Sequence, residues 1–264
     1  PVYIWIDNGS VEIRDAGDIW GTGTYATTLA LRAVHGPETR VIACGQAGER
    51  RSRIAVIQTE TGNAAGQGGY GAVMGSKNLK AIAVRGTGGA RIARPAEFLE
   101  LCLNASREGQ SPLEMSGDLG RPGSPAVYGA NYRTRKCGFC MSRCPLTHKL
   151  HMNVASGLGP GVYTTAQKCY GYTASDKDNI EAKAISSDYG INGYEVSQGI
   201  IPWLQLCRQH GLIDEINGVE IPMPAKPLEY QRDCAPCSAR FLRVLLHSIA
   251  FRVGPVGDAL ADGA

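Results

Sequence analysis

Gly62-Asn-Ala-Ala-Gly66-Gln67-Gly68-Gly69-Tyr-Gly71-Ala-Val-Met-Gly75-Ser-Lys77-Asn-Leu-Lys80 places six glycines within fourteen residues and runs into an apolar segment, Leu79 to Val84. Backbone this bare of side chains can turn several N–H groups toward an anion, and Lys77 or Lys80 would add positive charge. The stretch is not a Walker loop, because the Gly-Lys-Ser/Thr ending is missing. Gly66 to Gly71 is also not a clean dinucleotide fingerprint following a strand. A glycine-rich connection between strands serves plain structure as readily as it serves phosphate.

Upstream, Val2-Tyr3-Ile4-Trp5-Ile6 and Val11-Glu12-Ile13-Arg14 flank Asp7-Asn8-Gly9-Ser10, and the Asn-Gly core predicts a hairpin. Tyr25 to Val34 reads as a helix with threonine caps, closed by Gly36. Arg40 to Ala43, Ile54 to Ile57 and Leu79 to Val84 read as further sheet. Residues 1–90 are therefore expected to be mainly β with one helix. From Arg91 on the texture is helical: Pro95 opens a helix with Phe98, Leu99, Leu101 and Cys102 as its apolar stripe. Another covers Glu195 to His210, delayed by Pro202 and ended by Gly211. A third runs from Ser238 to Arg252 with Phe241, Leu242, Leu245 and Ile249 inward. The fold class is α+β, divided at 1–90 and 91–264.

Nine cysteines occur, and three fall in Cys137-Gly-Phe-Cys140-Met-Ser-Arg-Cys144-Pro145. Three thiolates at this spacing suit three corners of a [4Fe-4S] cube, and Arg133, Arg135, Lys136 and Arg143 would offset its negative charge. Burial as small hydrophobes is the bland alternative. A zinc site joining Cys137 and Cys140 to Cys234-Ala-Pro-Cys237 is a further one, and would make the chain a zinc-binding non-catalytic module. A small ferredoxin-like carrier is a third possibility. The fourth ligand of a cube is open among Cys169, Cys234, Cys237 and residues beyond Ala264. His148 and His151 follow the cluster and are candidate proton donors; the plain reading is surface loop histidines.

With 43% apolar residues among 264, the chain can bury a sizeable core. A formal net charge of +3, spread along the chain, gives no sign of a nucleic-acid groove. No apolar run nears the roughly 20 residues of a membrane span, and the start has no signal pattern, so a cytoplasmic protein is expected. The chain opens without Met inside an expected strand, and is expected to be an internal fragment of something longer.

The segment Gly68 to Ile82 resembles the signature of the aldehyde ferredoxin oxidoreductase family of tungstopterin enzymes. Asp18-Ile-Trp20-Gly21, Gly45-Gln-Ala-Gly48-Glu49, the cysteine cluster, Asp188-Tyr-Gly190-Ile-Asn192 and Gly257-Asp258-Ala-Leu260-Ala-Asp262-Gly263 follow in that family's order. The run Gln58-Thr-Glu-Thr-Gly-Asn-Ala-Ala-Gly66 and the Gly211 to Pro224 tail are most similar to the catalytic subunit of ATP-independent benzoyl-CoA reductases. The resemblance implies the later part of a β-rich pterin-binding domain, then a mainly helical domain with an iron-sulfur loop. It implies a tungsten or molybdenum bis-pyranopterin, a [4Fe-4S] cluster and Mg2+ bridging the pterin phosphates. Gln67, Gly68, Gly69 and Gly71, with Asp188, Gly190, Ile191 and Asn192, would face the pterin. Cys137, Cys140 and Cys144 would hold iron. Ferredoxin or an iron-sulfur subunit would carry electrons, and the substrate would be an acyl-CoA or an aldehyde. Gln67 stands where the family often has arginine, and Asn192 where it often has Asp. Gly159 to Thr165, with Tyr163, lacks the Glu of the aldehyde enzymes, which puts aldehyde chemistry in doubt.

Overall fold

The computed structural model describes residues 1–59, 64–108, 132–134, 148–151, 163–165, 176–229 and 234–263. Strand β1 (Val2–Asp7) turns through Asn8 and Gly9, at φ of 47° and 93°, into β2 (Ser10–Asp15). This left-handed pair is what a two-residue hairpin requires, as the Asn-Gly signal predicted. Helix α1 (Thr24–His35) closes at Gly36, where φ is 98°. Strands β3 (Arg40–Cys44), β4 (Ile57–Thr59), β5 (Ala64–Ala65) and β6 (Leu79–Arg85) complete a six-stranded sheet in the order β2-β1-β6-β3-β4-β5. Only the β1–β6 pair is parallel; the other pairs are antiparallel. Tyr3, Trp5, Val41, Ala43, Ala81 and Ala83 line the sheet face that packs on Leu31 of α1.

Two expectations for this region are corrected. It holds three α-helices among the described residues, since α2 (Gln46–Glu49) and α3 (Tyr70–Ser76) occupy glycine-rich segments that read as loops. Of Ile54 to Ile57 only Ile57 joins the sheet, while Ala55 forms an isolated bridge to Ile191. The apolar character of Ile54 and Ala55 reflects burial against the later helices.

Helix α4 (Pro95–Glu108) starts at the expected proline, but Phe98, Leu99 and Leu101 are exposed among the described residues. Strands β7 (Tyr132–Thr134), β8 (His148–His151) and β9 (Tyr163–Thr165) form a small antiparallel sheet that no sequence pattern announced. Helix α5 (Asp176–Tyr189) follows. Glu195–Ile200 is a π-helical turn ahead of α6 (Ile201–Gln209). Pro202 supplies no N–H, so the expected delay takes the form of a widened turn. Gly211 ends this segment at φ 68°. A short hairpin, β10 (Glu215–Ile216) with β11 (Val219–Glu220), leads to α7 (Ala239–Phe251). Ser238 caps α7 by accepting from the Phe241 amide at 3.2 Å. Helix α8 (Gly254–Ala261) completes the described chain. Phe241, Leu242, Leu245 and Ile249 of α7 point inward as expected, meeting Ile185, Ile200, Leu204 and Leu260.

Among the described residues no single helix is long and apolar enough to cross a membrane. The α7–α8 pair passes for length and composition but bends by 70°, and its apolar side chains fill the core.

Helices α2 and α3 meet backbone to backbone. A Cβ at Gly75 would lie 1.9 Å from the Gly48 carbonyl oxygen, and one at Gly48 2.7 Å from that of Gly71. Gly→Ala inside an ordinary helix stabilises by about 1 kcal/mol. Gly75→Ala should reverse that sign and destabilise by about 2 kcal/mol or more in urea unfolding. A neutral or stabilised variant would refute the backbone contact.

Candidate cofactor-facing site

Three pieces of backbone converge where α1 begins: the turn before it at Gly21 to Gly23, the start of α2, and the end of α5. Lys80 on β6 and Glu49 on α2 form an ion pair of 2.5 Å beneath them, with side chains 0% and 2% exposed. Glu49 also accepts from the Gly21 amide at 3.0 Å, and Lys80 donates to the Thr22 carbonyl at 2.7 Å. Gln46 donates to the Gly21 carbonyl at 3.1 Å. Lys80 is therefore committed to a buried pair and is withdrawn as a phosphate-facing cation. Lys77, exposed at the end of α3, stands a helix length from the glycine turn that opens it.

The threonine-cap expectation is also corrected. Gly23 is the N-cap of α1 and carries no side chain to cap with. The acceptor is Asp188 at the end of α5, which takes the Tyr25 amide at 3.1 Å. Thr24 reaches the other way and donates to the Ser187 carbonyl at 3.0 Å. A Cβ at Gly23 would fall 2.1 Å from the Asp188 carboxylate, so glycine is required there. Burial raises the Asp188 carboxyl to about 6, against the lowering effects of the Tyr25 amide and Lys80.

The following turn is locked into the protein. Gly190 accepts from the Val56 amide at 2.8 Å, Ile191 donates to Ser186 at 2.8 Å, and Asn192 donates to Ile54 at 2.9 Å. The Asn192 side chain accepts from the Tyr194 amide at 3.1 Å, and Ile191 is core. A Cβ at Gly45 would sit 2.3 Å from the Tyr189 carbonyl. Gly190 and Asn192 thus commit these backbone groups to the 54–56 segment, and Ile191 commits its amide to the end of α5.

The turn ahead of α3 differs. Gly68 and Gly69 both adopt positive φ, 100° and 67°, and Gln67 and Gly68 are exposed. Gly71 is buried, and a Cβ there would meet the Val56 carbonyl oxygen at 2.6 Å; one at Gly69 would meet that of Arg53 at 2.8 Å. Glycine at 69 and 71 serves packing, and an exposed turn is left at Gln67 and Gly68, where only Gly68 lacks a side chain. This turn fits an anionic phosphate. Two buried oxygens near the α1–α5 junction, Oε1 of Gln46 and Oγ of Ser187, have no protein partner among the described residues.

Cys137, Cys140, Cys144 and Cys169 lie outside the described residues. Among those described, no group of three or more His, Cys, Asp or Glu side chains is disposed to hold a metal. Cys237 is fully buried, its thiol pushed up to about 12 by burial, and it packs in the core. His148 and His151 occupy the two ends of strand β8, opposite Thr134 and Tyr163, in place of the surface loop.

Sequence reasoning missed the role of Arg252. Its guanidinium reaches Asp258 at 2.7 Å, Asp262 at 2.8 Å, and the carbonyls of Arg50 and Arg51 at 2.9 and 3.2 Å. The spacing of Asp258 and Asp262, i and i+4, was the available signal.

A sequence profile of the aldehyde ferredoxin oxidoreductase N-terminal domain matches residues 1–86. The chain is 44% identical over 299 aligned positions to a tungsten-containing aldehyde ferredoxin oxidoreductase of Pyrococcus abyssi, covering 100% of the chain and 47% of the relative. It is 46% identical over 103 residues to the WOR-like subunit of an aliphatic sulfonate oxidoreductase of Pyrococcus furiosus, covering 33% of the chain and 16% of the relative. The structure is similar to the active-site complex BamBC of benzoyl-coenzyme A reductase bound to 1,5-dienoyl-CoA. The TM-score is 0.70 at 27% identity, covering 99% of this chain and 44% of that one. The chain thus spans about half the length of the Pyrococcus abyssi relative.

The raised Asp188 carboxyl makes a pH prediction. Its folded value of about 6 exceeds the ordinary 3.8, so folding disfavours the charged form. The penalty is full above the folded value and disappears as pH falls toward the unfolded one. Relative to Asp188→Asn, which keeps an acceptor for the Tyr25 amide, the wild type should gain stability between pH 7 and pH 5. Urea midpoints at both pH values test this, and a pH-independent difference would contradict it.

Proposed function

The chain belongs to the aldehyde ferredoxin oxidoreductase family, and we propose that it is part of an oxidoreductase that reduces an aromatic acyl-CoA of the benzoyl-CoA type with low-potential electrons. The proposed cofactors are a tungsten or molybdenum bis-pyranopterin, Mg2+ on its phosphates, and a [4Fe-4S] cluster. The observation that carries the reading is the structural likeness along nearly the whole chain to a complex holding 1,5-dienoyl-CoA. When bound, the metal centre would supply two-electron chemistry while the cluster passes single electrons.

The chain's own residues orient and insulate. Gln67 and Gly68 would receive a pterin phosphate on the exposed backbone of their turn, while Gly69 and Gly71 let that turn lie against residues 53–56. Asp188 to Asn192 would act mainly by fixing those segments, with the Asp188 carboxylate the group left to sense the cofactor. Cys137, Cys140 and Cys144 would ligate iron. His148 or His151 would hold a proton for the ring. Electrons would arrive from a ferredoxin or an iron-sulfur subunit.

A second reading, oxidation of an aldehyde to a carboxylate, is favoured by the higher identity to the aldehyde enzymes. Gly159 to Thr165 contains no Glu, which favours the acyl-CoA reading. Viologen-coupled assays on the complete protein, purified without oxygen, separate the two. The proposal expects 1,5-dienoyl-CoA to be oxidised faster than any aldehyde tried, and the reverse order would replace it with the second reading. Cys137→Ala, Cys140→Ala and Cys144→Ala should each lower iron and acid-labile sulfide. Full iron in all three variants would remove the cluster from the account.

A further inference from the structure

We propose that the exposed face of α7 and the Arg50-Arg51-Ser52-Arg53 turn form one docking ridge for an acidic protein. Helix α7 and this turn contain no Asp or Glu of their own. The apolar side chains of α7 fill the core, which leaves Arg240, Arg243 and His247 on its exposed stripe at i, i+3 and i+7. The stripe continues into Phe251, which stacks on His247 at 4.4 Å and meets the edge of Tyr189 at 5.4 Å. The Arg50 guanidinium lies over the Phe251 ring at 4.5 Å, which joins helix to turn.

The turn is built rigidly. Arg252 holds the carbonyls of Arg50 and Arg51 from below, and Ser52 and the Arg53 amide both donate to the Ala261 carbonyl, at 2.9 and 2.8 Å. Arg50, Arg51 and Arg53 are therefore displayed outward on fixed backbone. Among the described residues the carboxylates that meet these arginines are few: Glu181 pairs with Arg243, and Asp262 lies 3.9 Å from Arg53 while serving Arg252. In a chain of net charge +3, five arginines on one ridge are a concentrated positive field.

A charged face is often only solvated. Two features favour a partner. The cations are arginines interleaved with Tyr189 and Phe251, the composition of interface centres. The stacking on Phe251 and the clamped turn also lower the cost of ordering the surface on association. Helix α7 alone extends about 20 Å, a length suited to a protein face. The identity of the partner as an acidic electron carrier rests on the proposed redox function; the ridge itself does not.

The test uses the complete protein and a small acidic two-cluster ferredoxin as probe, with association followed at about 50 and 300 mM salt. Arg50→Glu with Arg51→Glu, and separately Arg240→Gln with Arg243→Gln, should each slow association at low salt, by about tenfold for the charge reversal, and flatten its salt dependence. Viologen-linked turnover should be unchanged in both. Ferredoxin association within twofold of wild type in both variants, or tighter binding of duplex DNA than of ferredoxin, would overturn the ridge. Absence of viologen turnover in the wild type, with ferredoxin binding still dependent on the ridge, would overturn the redox function and uphold the surface.

Discussion

The buried pair between Lys80 and Glu49 is the constraint on which the rest of the site depends. Two opposite charges with almost no exposure stay charged only if each finds further partners, and here the Gly21 amide and Thr22 carbonyl provide them. Removing either member would strand the other at a cost of about 3–5 kcal/mol. The pair fixes α2 against β6 and fixes the turn that opens α1. Asp188 can then reach the Tyr25 amide in the first turn of α1, and Gly45 can lie on the Tyr189 backbone. Helix α3 settles on α2 through glycine contacts, and the Gly68–Gly69 turn follows from where α3 begins.

Much of this architecture was legible locally. The Asn8–Gly9 hairpin, the closure of α1 at Gly36 and the inward face of α7 depend on near neighbours and on a single amphipathic period. What escaped depends on residues far apart in the chain. Gly71 and Gly75 look like loop glycines because helix propensity counts against them, yet they sit in α3 because another backbone passes too close for a Cβ. The capping of α1 comes from Asp188, 163 residues away, so no local pattern could reveal it. Lys80 looks like a phosphate ligand beside a glycine-rich segment until its depth in the sheet is known. The cysteine motif was read from spacing alone and lies outside the described residues.

These distinctions reassign work within the family motif. The Asp188 to Asn192 segment is a dovetail joining the end of α5 to residues 45 and 54–56. In the function proposed above, the exposed Gln67–Gly68 turn is the part of the described chain that receives the pterin phosphate. Arg252, gripped by Asp258 and Asp262, explains the acidic spacing near the C-terminal end and holds the Arg50 turn in place. Packing falls to Gly69 and Gly71, and the proposed anion recognition to the neighbouring Gln67 and Gly68.

Tungsten and released pterin per folded molecule, measured in the complete protein for Gln67→Glu, Gln67→Arg and Asn192→Ala, tests that division most directly. The account predicts that Gln67→Glu loses cofactor while its melting temperature without cofactor is unchanged, and that Gln67→Arg retains cofactor more tightly. Asn192→Ala should melt earlier yet hold the wild-type ratio of cofactor to folded protein. Cofactor loss confined to Asn192→Ala, with both Gln67 variants fully loaded and equally tight, would contradict it.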